Sequence, residues 1–484
     1  MSEQNTASTP DPSDIPSERV LLSEDNGDRA LPSQDNGARA LPSSRIFEGP
    51  ILASFFYYVI PSMIGLVALT TANLVDGMVV GNYLGPNALA SVTLLIPYFT
   101  LLFGLALMLA IGGSVRAGKY IGEGDVPSAS AIFSKSLIAT FALSLTFAFI
   151  TTLFDDTLYA LLGAPSELIP SISAYFQVIS WVLVLQLVTM VLYYFVRADD
   201  HPMLATSALV TGAIINIVLD ILFIGYLEMG IAGAAYATGI AQIVQLLILS
   251  RYFLSKKKTL SFSLKQTNWR ELFSSCYNGI SEFINELSGG IIIFLLNWLL
   301  ISRAGIDAVA AFTVVNYLIF LSLMMAYGFA DALHLLVSQN FGAGQLQRIQ
   351  SFLHAAFWSV IVMGSLVVSG LLLAGDNIIL LFLENDQPDI IALSHSLILL
   401  IWPLFLVNSA NIILSCYLTA IHQPTPSAAV ALSRSLILPA GLLLTLNLLF
   451  DDWQFLIALP IAEWLTFAFA LALVYRWRPS ILQS

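Results

Sequence analysis

Twelve apolar stretches, each long enough to cross a lipid bilayer, follow one another from residue 51 to residue 475. A bilayer core about 30 Å thick requires about 20 apolar residues in a helix. Only helices and closed barrels satisfy their own backbone hydrogen bonds in lipid, and stretches of this length favour helices. The sequence therefore predicts an all-α membrane protein with spans at 51–78, 87–112, 129–153, 170–196, 202–226, 231–254, 277–302, 307–333, 351–374, 390–418, 424–449 and 453–475.

The composition excludes several other classes of protein. Hydrophobic residues make up 57% of the 484 positions and charged residues only 10%, whereas about 25% of a typical soluble domain is charged. A soluble multidomain enzyme and a disordered scaffold are excluded on this ground. The net charge of −12 provides no basic surface for nucleic acid, so membrane lipid is expected as a partner and nucleic acid is not.

The amino-terminal residues 1–47 differ from the rest of the chain. They are polar and contain two successive decapeptides, SEDNGDRALP (23–32) and SQDNGARALP (33–42). No apolar core can form from such a segment, so it is expected to be a disordered cytoplasmic tail. The remaining chain is expected to contain a six-helix lobe at 48–255, a cytoplasmic linker at 256–276, a second six-helix lobe at 277–476 and a cytoplasmic tail at 477–484.

The positive residues predict the orientation in the membrane. An even number of spans places both termini on one side. Thirteen of the fifteen Lys and Arg residues after position 50 fall in alternate loops or at the carboxyl terminus: Arg116, Lys119, Lys135, Arg197, Arg251, Lys256, Lys257, Lys258, Lys265, Arg270, Arg348, Arg476 and Arg478. Because cytoplasmic loops carry an excess of Lys and Arg, both termini are expected on the cytoplasmic side of the cell (inner or plasma) membrane.

An internal repeat relates the two halves of the chain. Residues 85–125 align without a gap on residues 305–345, with nine of 41 positions identical. The aligned segments are six spans apart, so the two lobes have the same orientation. Their pseudo-twofold axis then runs along the membrane normal through a central cavity, as in many transporters. Channels are also built by duplication, so the repeat favours a transporter without excluding a channel.

Four polar residues of the first lobe are expected at one depth in the outer leaflet. At 1.5 Å per residue, Asp76 and Asp220 reach similar heights in the first and fifth spans, Asn216 lies one turn below Asp220, and Thr238 matches them in the sixth. An Asn–Thr pair alone would indicate helix packing. Two carboxylates beside it are costly to bury in the ionised state, and together the four predict a site for a proton or Na⁺.

Ionisable residues of the second lobe have two interpretations. Glu282, Glu286 and Asp331 lie near the inner ends of the seventh and eighth spans. They are candidates for cation binding, although acids so close to the interface can also be solvated there. Arg434 and Glu463 are expected to meet near mid-membrane on adjacent antiparallel helices. A structural ion pair is the preferred prediction for them, with a substrate role as the alternative.

Other motifs do not indicate an enzyme. The segment GSVRAGK (113–119) resembles the start of a phosphate-binding loop, but Tyr120 stands where Ser or Thr is required and a membrane helix precedes it. ATP is therefore not expected. The five histidines lack zinc-ligand spacing, and no Ser or Cys has an identifiable base. The expected protein is not an enzyme and needs no cofactor, and its coupling ion is H⁺ or Na⁺.

Over about residues 50–476 the chain resembles the multidrug and toxic compound extrusion family. The likeness is carried by ANLVDGMVVGNYLGPNALASV (72–92), INIVLDILFIG (215–225), GIAGAAYAT (230–238), NGISEFINELSGG (278–290) and PIAEWLT (460–466). It implies twelve helices in two six-helix lobes and export driven by inward flow of protons or sodium. Family members of this kind use an acid in the first helix and an Asn, Asp, Thr group in the fifth and sixth, which match Asp76, Asn216, Asp220 and Thr238.

The sequence thus predicts a secondary antiporter that exports amphipathic, cationic organic compounds in exchange for protons or sodium. A cavity with apolar and aromatic walls and a few acids suits such small-molecule cargo. A flippase for lipid-linked saccharides is one alternative, but a pyrophosphate cargo calls for basic residues. A channel is the other, and it would show flux without coupling.

Overall fold

The computed structural model of the protein describes residues 44–380 and 388–481. Eleven helices in this part of the chain are long and apolar enough to cross a membrane, and one bent pair of helices brings the number to twelve. No strand occurs within the described ranges. The all-α membrane fold predicted from the sequence is therefore confirmed.

The first lobe contains α1 to α6 and the second contains α7 to α12. In chain order these helices are α1 Ile51–Leu84, α2 Ile96–Gly122, α3 Val126–Leu153, α4 Ile169–Ala198, α5 Pro202–Tyr226, α6 Ile231–Leu254, α7 Ile280–Gly305, α8 Ala308–Gly342, α9 Leu346–Ile379, α10 Pro388–Ile401 with Leu404–Ala420, α11 Pro424–Leu446 and α12 Trp453–Arg476. The two pieces of α10 meet at an angle of 52°. Pro403 lies at this bend, where its missing N–H prevents a continuous helix.

The predicted span at 87–112 differs most from the structure. A separate short helix, Pro86–Leu94, precedes α2, which begins only at Ile96 and continues to Gly122. The hydropathy of the sequence does not distinguish the two helices because both are apolar. Of the predicted tails, residues 1–43, with the repeated decapeptides, and residues 482–484 lie outside the described part of the chain. Residues Ser44–Phe47 form a helical turn in which Ile46 and Phe47 are buried.

The repeat predicted at an offset of 220 residues is visible in the backbone. Gly85 and Gly305 have φ values of 85° and 77°, and Gly124 and Gly344 have 79° and 68°. These angles lie in the left-handed region, which glycine enters without steric cost. Each pair therefore makes the same interruption of the helical backbone in both halves.

The lobes are joined at one end of the bundle and separate at the other. We call the end that carries Lys119 and Arg348 the basic end and the opposite one, with Asp155 and Asp451, the acidic end. Towards the acidic end each lobe has its own hydrophobic core, with no residue shared between them. At the basic end one core contains residues of both lobes, among them Phe55 of α1. The cores thus hold the lobes together only at the basic end.

Two glycines allow α2 and α8 to approach closely at the basic end. A Cβ on Gly122 would lie 2.0 Å from the carbonyl oxygen of Gln339, and a Cβ on Gly342 would lie 2.0 Å from that of Lys119. Both contacts join α2 to α8, and they are related by the 220-residue offset. The crossing is therefore reciprocal about the pseudo-twofold axis, and it requires the absence of a side chain on both helices.

We expect the substitution Gly122→Ala to destabilise the folded protein, because the new methyl group would displace the backbone of α8. Overpacking of this kind costs about 1–3 kcal/mol, and the midpoint of thermal unfolding in detergent should fall. The matched control is Gly290→Ala in α7, where an added Cβ has nothing within 4 Å. Equal unfolding midpoints for the two variants would contradict a close contact at Gly122.

Candidate functional site

The structure brings together the four residues predicted at one depth in the first lobe. Nδ2 of Asn216 in α5 lies 3.5 Å from Oγ1 of Thr238 in α6. The carboxyl groups of Asp76 in α1 and Asp220 in α5 lie close enough to each other to interact electrostatically. Asp220 has no solvent-exposed surface, and Asn216 is buried. Three helices thus converge on one group of carboxylate, amide and hydroxyl oxygens.

The two carboxylates of this group have no counter-charge among the described residues. Ion pairs in that part of the chain involve other acids. No described group donates a hydrogen bond to Oδ1 of Asp76 or to either carboxylate oxygen of Asp220, and these atoms are buried. Two adjacent buried carboxylates cannot both stay ionised at low cost. A shared proton or a small hard cation, which prefers oxygen ligands, would relieve their repulsion.

The helices that carry the two acids change geometry next to them. α1 passes into a π-helical turn over Val80–Leu84, and α5 does so over Ile221–Tyr226, directly after Asp220. The turns pack together, since a Cβ on Gly225 would lie 3.1 Å from the ring of Tyr83. π-Helical turns are rare and occur frequently at functional sites. The sequence analysis did not predict them.

Tyr175 of α4 was also missed. It is 5% exposed and lies close enough to Asp76 and Asp220 to interact electrostatically with both. A signal was present, because Tyr175 lies six residues after the start of α4 at Ile169. This depth is similar to that of Thr238, seven residues after the start of α6 at Ile231.

The second lobe has no equivalent of the carboxylate pair. The 220-residue offset places Leu296 at the position of Asp76. The first residues of α5 and α11, Pro202 and Pro424, are 222 residues apart, and this offset places Leu442 at the position of Asp220. Leu296 is buried in the core of the second lobe. The duplicated halves therefore share their backbone but differ in the residues at this depth.

A cavity of about 310 Å³ lies between the lobes. Its wall on the first lobe contains the amides Gln186, Gln242 and Gln245 together with Tyr193 and Tyr194. The wall on the second lobe contains all three predicted acids of that lobe, Glu282, Glu286 and Asp331, as well as Tyr327, His334 and Arg434. The cavity is thus mostly neutral on one side and contains ionisable residues on the other.

Glu282 and Glu286 are the cavity acids without an ion-pair partner in the described part of the chain. Glu282 is 9% exposed, and Glu286 is half-buried one turn further along α7. Both side chains face the cavity because residues four apart lie on the same face of a helix. They provide a negative wall for a cationic molecule.

The third acid, Asp331 of α8, is paired with Arg197 of α4. One guanidinium nitrogen of Arg197 donates to the Asp331 carboxylate, and a second donates to the Asp331 carbonyl oxygen. Both side chains are buried. From the sequence, Arg197 served only as a marker of orientation, and no partner was predicted for Asp331. Both residues lie near the basic end of their helices with opposite charge, and this was the available signal.

Arg434 and Glu463 contact each other on adjacent helices, as the sequence predicted. Nε of Arg434 in α11 lies 3.3 Å from Oε1 of Glu463 in α12, and both side chains are largely buried. Asn411 of α10 donates from Nδ2 to Oε2 of Glu463 over 2.6 Å. Arg434 lies in a third π-helical turn, Ser433–Ile437. Both charges therefore have partners inside the second lobe.

Comparisons with known proteins agree with this architecture. The MatE family model matches residues 61–222 and 287–442. A multidrug export protein MepA from Staphylococcus haemolyticus is 24% identical over 437 residues, covering 89% of this chain and 95% of that protein. The probable multidrug resistance protein YoeA from Bacillus subtilis is 26% identical over 370 residues, covering 74% and 78%.

A solved structure has the same fold. The outward-facing structure of a multidrug resistance MATE family transporter of the MOP superfamily superposes with a TM-score of 0.81 at 24% identity, covering 91% of this chain and 98% of that one. The family model matches both halves of the chain and most of its length. The chain therefore belongs to the MatE family of multidrug and toxic compound extrusion transporters.

Proposed function

We propose that this chain is a secondary antiporter that exports amphipathic, cationic organic compounds in exchange for protons or sodium ions. The proposal rests on the neighbouring carboxylates of Asp76 and Asp220, which have no ion-pair partner among the described residues; Asp220 is fully buried and Asp76 is half-buried. This pair belongs to the first lobe and lies apart from the residues that line the cavity. A site for the driving ion next to a separate cargo cavity is one arrangement that permits ion-coupled exchange.

The walls of the cavity support the proposed cargo. Glu282 and Glu286 offer negative charge, and Tyr193, Tyr194 and Tyr327 offer aromatic faces that attract cations. The named functions of the relatives, multidrug export and multidrug resistance, agree with amphipathic drugs as cargo. Apolar residues such as Leu66, Leu69 and Met324 complete the cavity for the apolar part of such a molecule.

The orientation follows from the positive residues. We propose that the basic end and both termini are cytoplasmic, because Lys and Arg are enriched in cytoplasmic loops. The shared core at the basic end then closes the cytoplasmic side. In this orientation the structure represents the outward-facing state of the transport cycle.

A flippase for lipid-linked saccharides fits the cavity less well. A pyrophosphate group calls for basic side chains. Arg434 is the one Lys or Arg among the described residues that line the cavity, and it is paired with Glu463. The remaining charges of the wall are acidic and would repel a phosphate.

Purified protein in liposomes tests the proposal against both alternatives. We expect accumulation of a fluorescent organic cation when a proton or a sodium gradient is imposed, and loss of that accumulation when the gradient is collapsed. Uptake that only equilibrates the dye, with no effect of either gradient, would indicate a channel. Movement of a labelled lipid-linked saccharide without movement of the dye would indicate the flippase.

A further inference from the structure

Arg197 and Asp331 form a buried ion pair between the two lobes. Arg197 ends α4 in the first lobe, and Asp331 lies in α8 of the second. Ser62 of α1 lies 3.3 Å from the same guanidinium nitrogen of Arg197 that contacts the carboxylate. Beside the pair, Gln339 donates from Nε2 to the Ala198 carbonyl oxygen over 2.7 Å, which also connects the lobes. The pair therefore exists only while the basic end is closed.

Asp331 differs from the other paired acid near the cavity. It lines the cavity itself, and its partner belongs to the opposite lobe. Glu463 is held by Arg434 and Asn411, which are both in its own lobe. Separation of the lobes at the basic end would leave the Arg434–Glu463 pair intact. The same movement would withdraw Arg197 from Asp331.

We infer that Asp331 is a cargo-binding carboxylate whose availability is controlled by Arg197. In the outward-facing state the guanidinium of Arg197 occupies the carboxylate. When the lobes part at the basic end, the freed carboxylate binds the cationic group of the cargo in its place. This inference rests on the proposed function. It adds that Arg197 makes the affinity of Asp331 for cargo differ between the state closed at the basic end and the state open there.

The physical reason is the cost of a lone buried charge. An ionised carboxylate in this position is strongly unfavourable without a partner, so removal of Arg197 creates a site that a cation fills. Glu282 and Glu286 line the same wall of the cavity and would add to the attraction. Return of Arg197 as the basic end closes then displaces the cation towards the acidic end. A guanidinium and a cargo cation thus compete for one carboxylate.

Equilibrium binding to purified protein tests the competition. The probes are tetraphenylphosphonium, which is a cation, and triphenylphosphine oxide, which is neutral and similar in shape. We expect Arg197→Gln to bind tetraphenylphosphonium at least tenfold more tightly than the wild type, with no change for triphenylphosphine oxide. The double variant Arg197→Gln with Asp331→Asn should lose the whole gain, because the carboxylate is then absent.

Arg348→Gln is the matched control for loosening of the basic end. Among the described residues Arg348 donates to the carbonyl oxygens of Ile46 and Gly49. The nearby acid, Glu48, is exposed, so removal of Arg348 leaves no buried carboxylate unpaired. We expect this variant to bind the cation no more tightly than the wild type. If Arg197→Gln folds poorly, Arg197→Lys provides the test, since a lysine loses the two-nitrogen contact and should give a gain of about two- to fivefold.

Three results would overturn the inference: an unchanged affinity for the cation in the folded Arg197 variants, an equal gain for the neutral probe, or a gain that survives in the double variant. Driven export of tetraphenylphosphonium by wild-type liposomes separates these results from failure of the proposed function. If the wild type exports the cation but the Arg197 variants show no gain in affinity for it, the competition is rejected and the proposed antiport is not. A wild type that exports no cation under either gradient rejects both.

Discussion

The substitutions Asp76→Asn and Asp220→Asn are each expected to abolish gradient-driven export while the protein remains folded and inserted. Asparagine has nearly the same shape as aspartate but can neither bind a proton nor hold a cation by charge. Asp220 is fully buried and Asp76 is half-buried, and neither has a counter-charge among the described residues. Loss of either one removes half of the site that would couple ion flow to export. The measurement is accumulation of a fluorescent cation in liposomes under an imposed proton or sodium gradient.

Asp156→Asn is the matched control for this prediction. Asp156 is an exposed acid at the acidic end, beyond the last residue of α3. Its removal changes the net charge by the same amount, and export should continue at the wild-type rate. Size-exclusion profiles in detergent would establish that all three variants are folded. Wild-type export by both Asp76→Asn and Asp220→Asn would place the coupling site elsewhere in the molecule.

Removing one partner of the Arg434–Glu463 pair should cost more stability than removing both. A single substitution leaves a buried charge unpaired, which typically costs about 3–5 kcal/mol. The double variant Arg434→Met with Glu463→Gln leaves no charge and should recover most of that loss. Thermal unfolding and folded yield in detergent provide the double-mutant cycle. Additive losses would show that the two side chains do not stabilise one another.

An exposed ion pair in the same protein serves as the control cycle. Nη1 of Arg303 lies 3.7 Å from Oδ1 of Asp451, whose side chain is fully exposed. Exposed pairs contribute about 0–1 kcal/mol, so Arg303→Met, Asp451→Asn and their combination should show little coupling. A similar coupling energy in the two cycles would contradict the role of burial. A stable Arg434–Glu463 double variant that exports nothing would show that the pair also serves transport.

Much of the fold could be predicted because the bilayer imposes simple rules on the sequence. The spans predicted at 202–226 and 231–254 have the same ends as α5 and α6. The ends of α2 and α8 were placed ten and nine residues too early, at 112 and 333 instead of 122 and 342. Hydropathy detects the part of a helix in the lipid core, whereas backbone hydrogen bonds continue into the polar contact between the lobes.

The group at Asp76 and Asp220 could be assembled from the sequence because depth follows from the helical rise. The contact between Arg197 and Asp331 was not predicted. These residues belong to different lobes, and the periodicity of each helix contains no information on how the lobes meet. The π-helical turns escaped prediction because these spans are apolar on most faces. The change of phase that one extra residue causes is therefore not visible in the sequence.

The leucines that replace the acids in the second lobe bear on the electrical character of export. Leu296 and Leu442 bind no ion. Of the two equivalent positions, therefore, only the carboxylate pair of the first lobe can bind one or two monovalent ions. Exchange of one such ion for a monovalent cargo moves no net charge, and the membrane voltage then contributes nothing to the driving force. Exchange of two moves one charge inward and gains about 2.3 kcal/mol per 100 mV. A measurement of how export depends on the membrane voltage therefore gives the number of ions that Asp76 and Asp220 bind and release in each cycle.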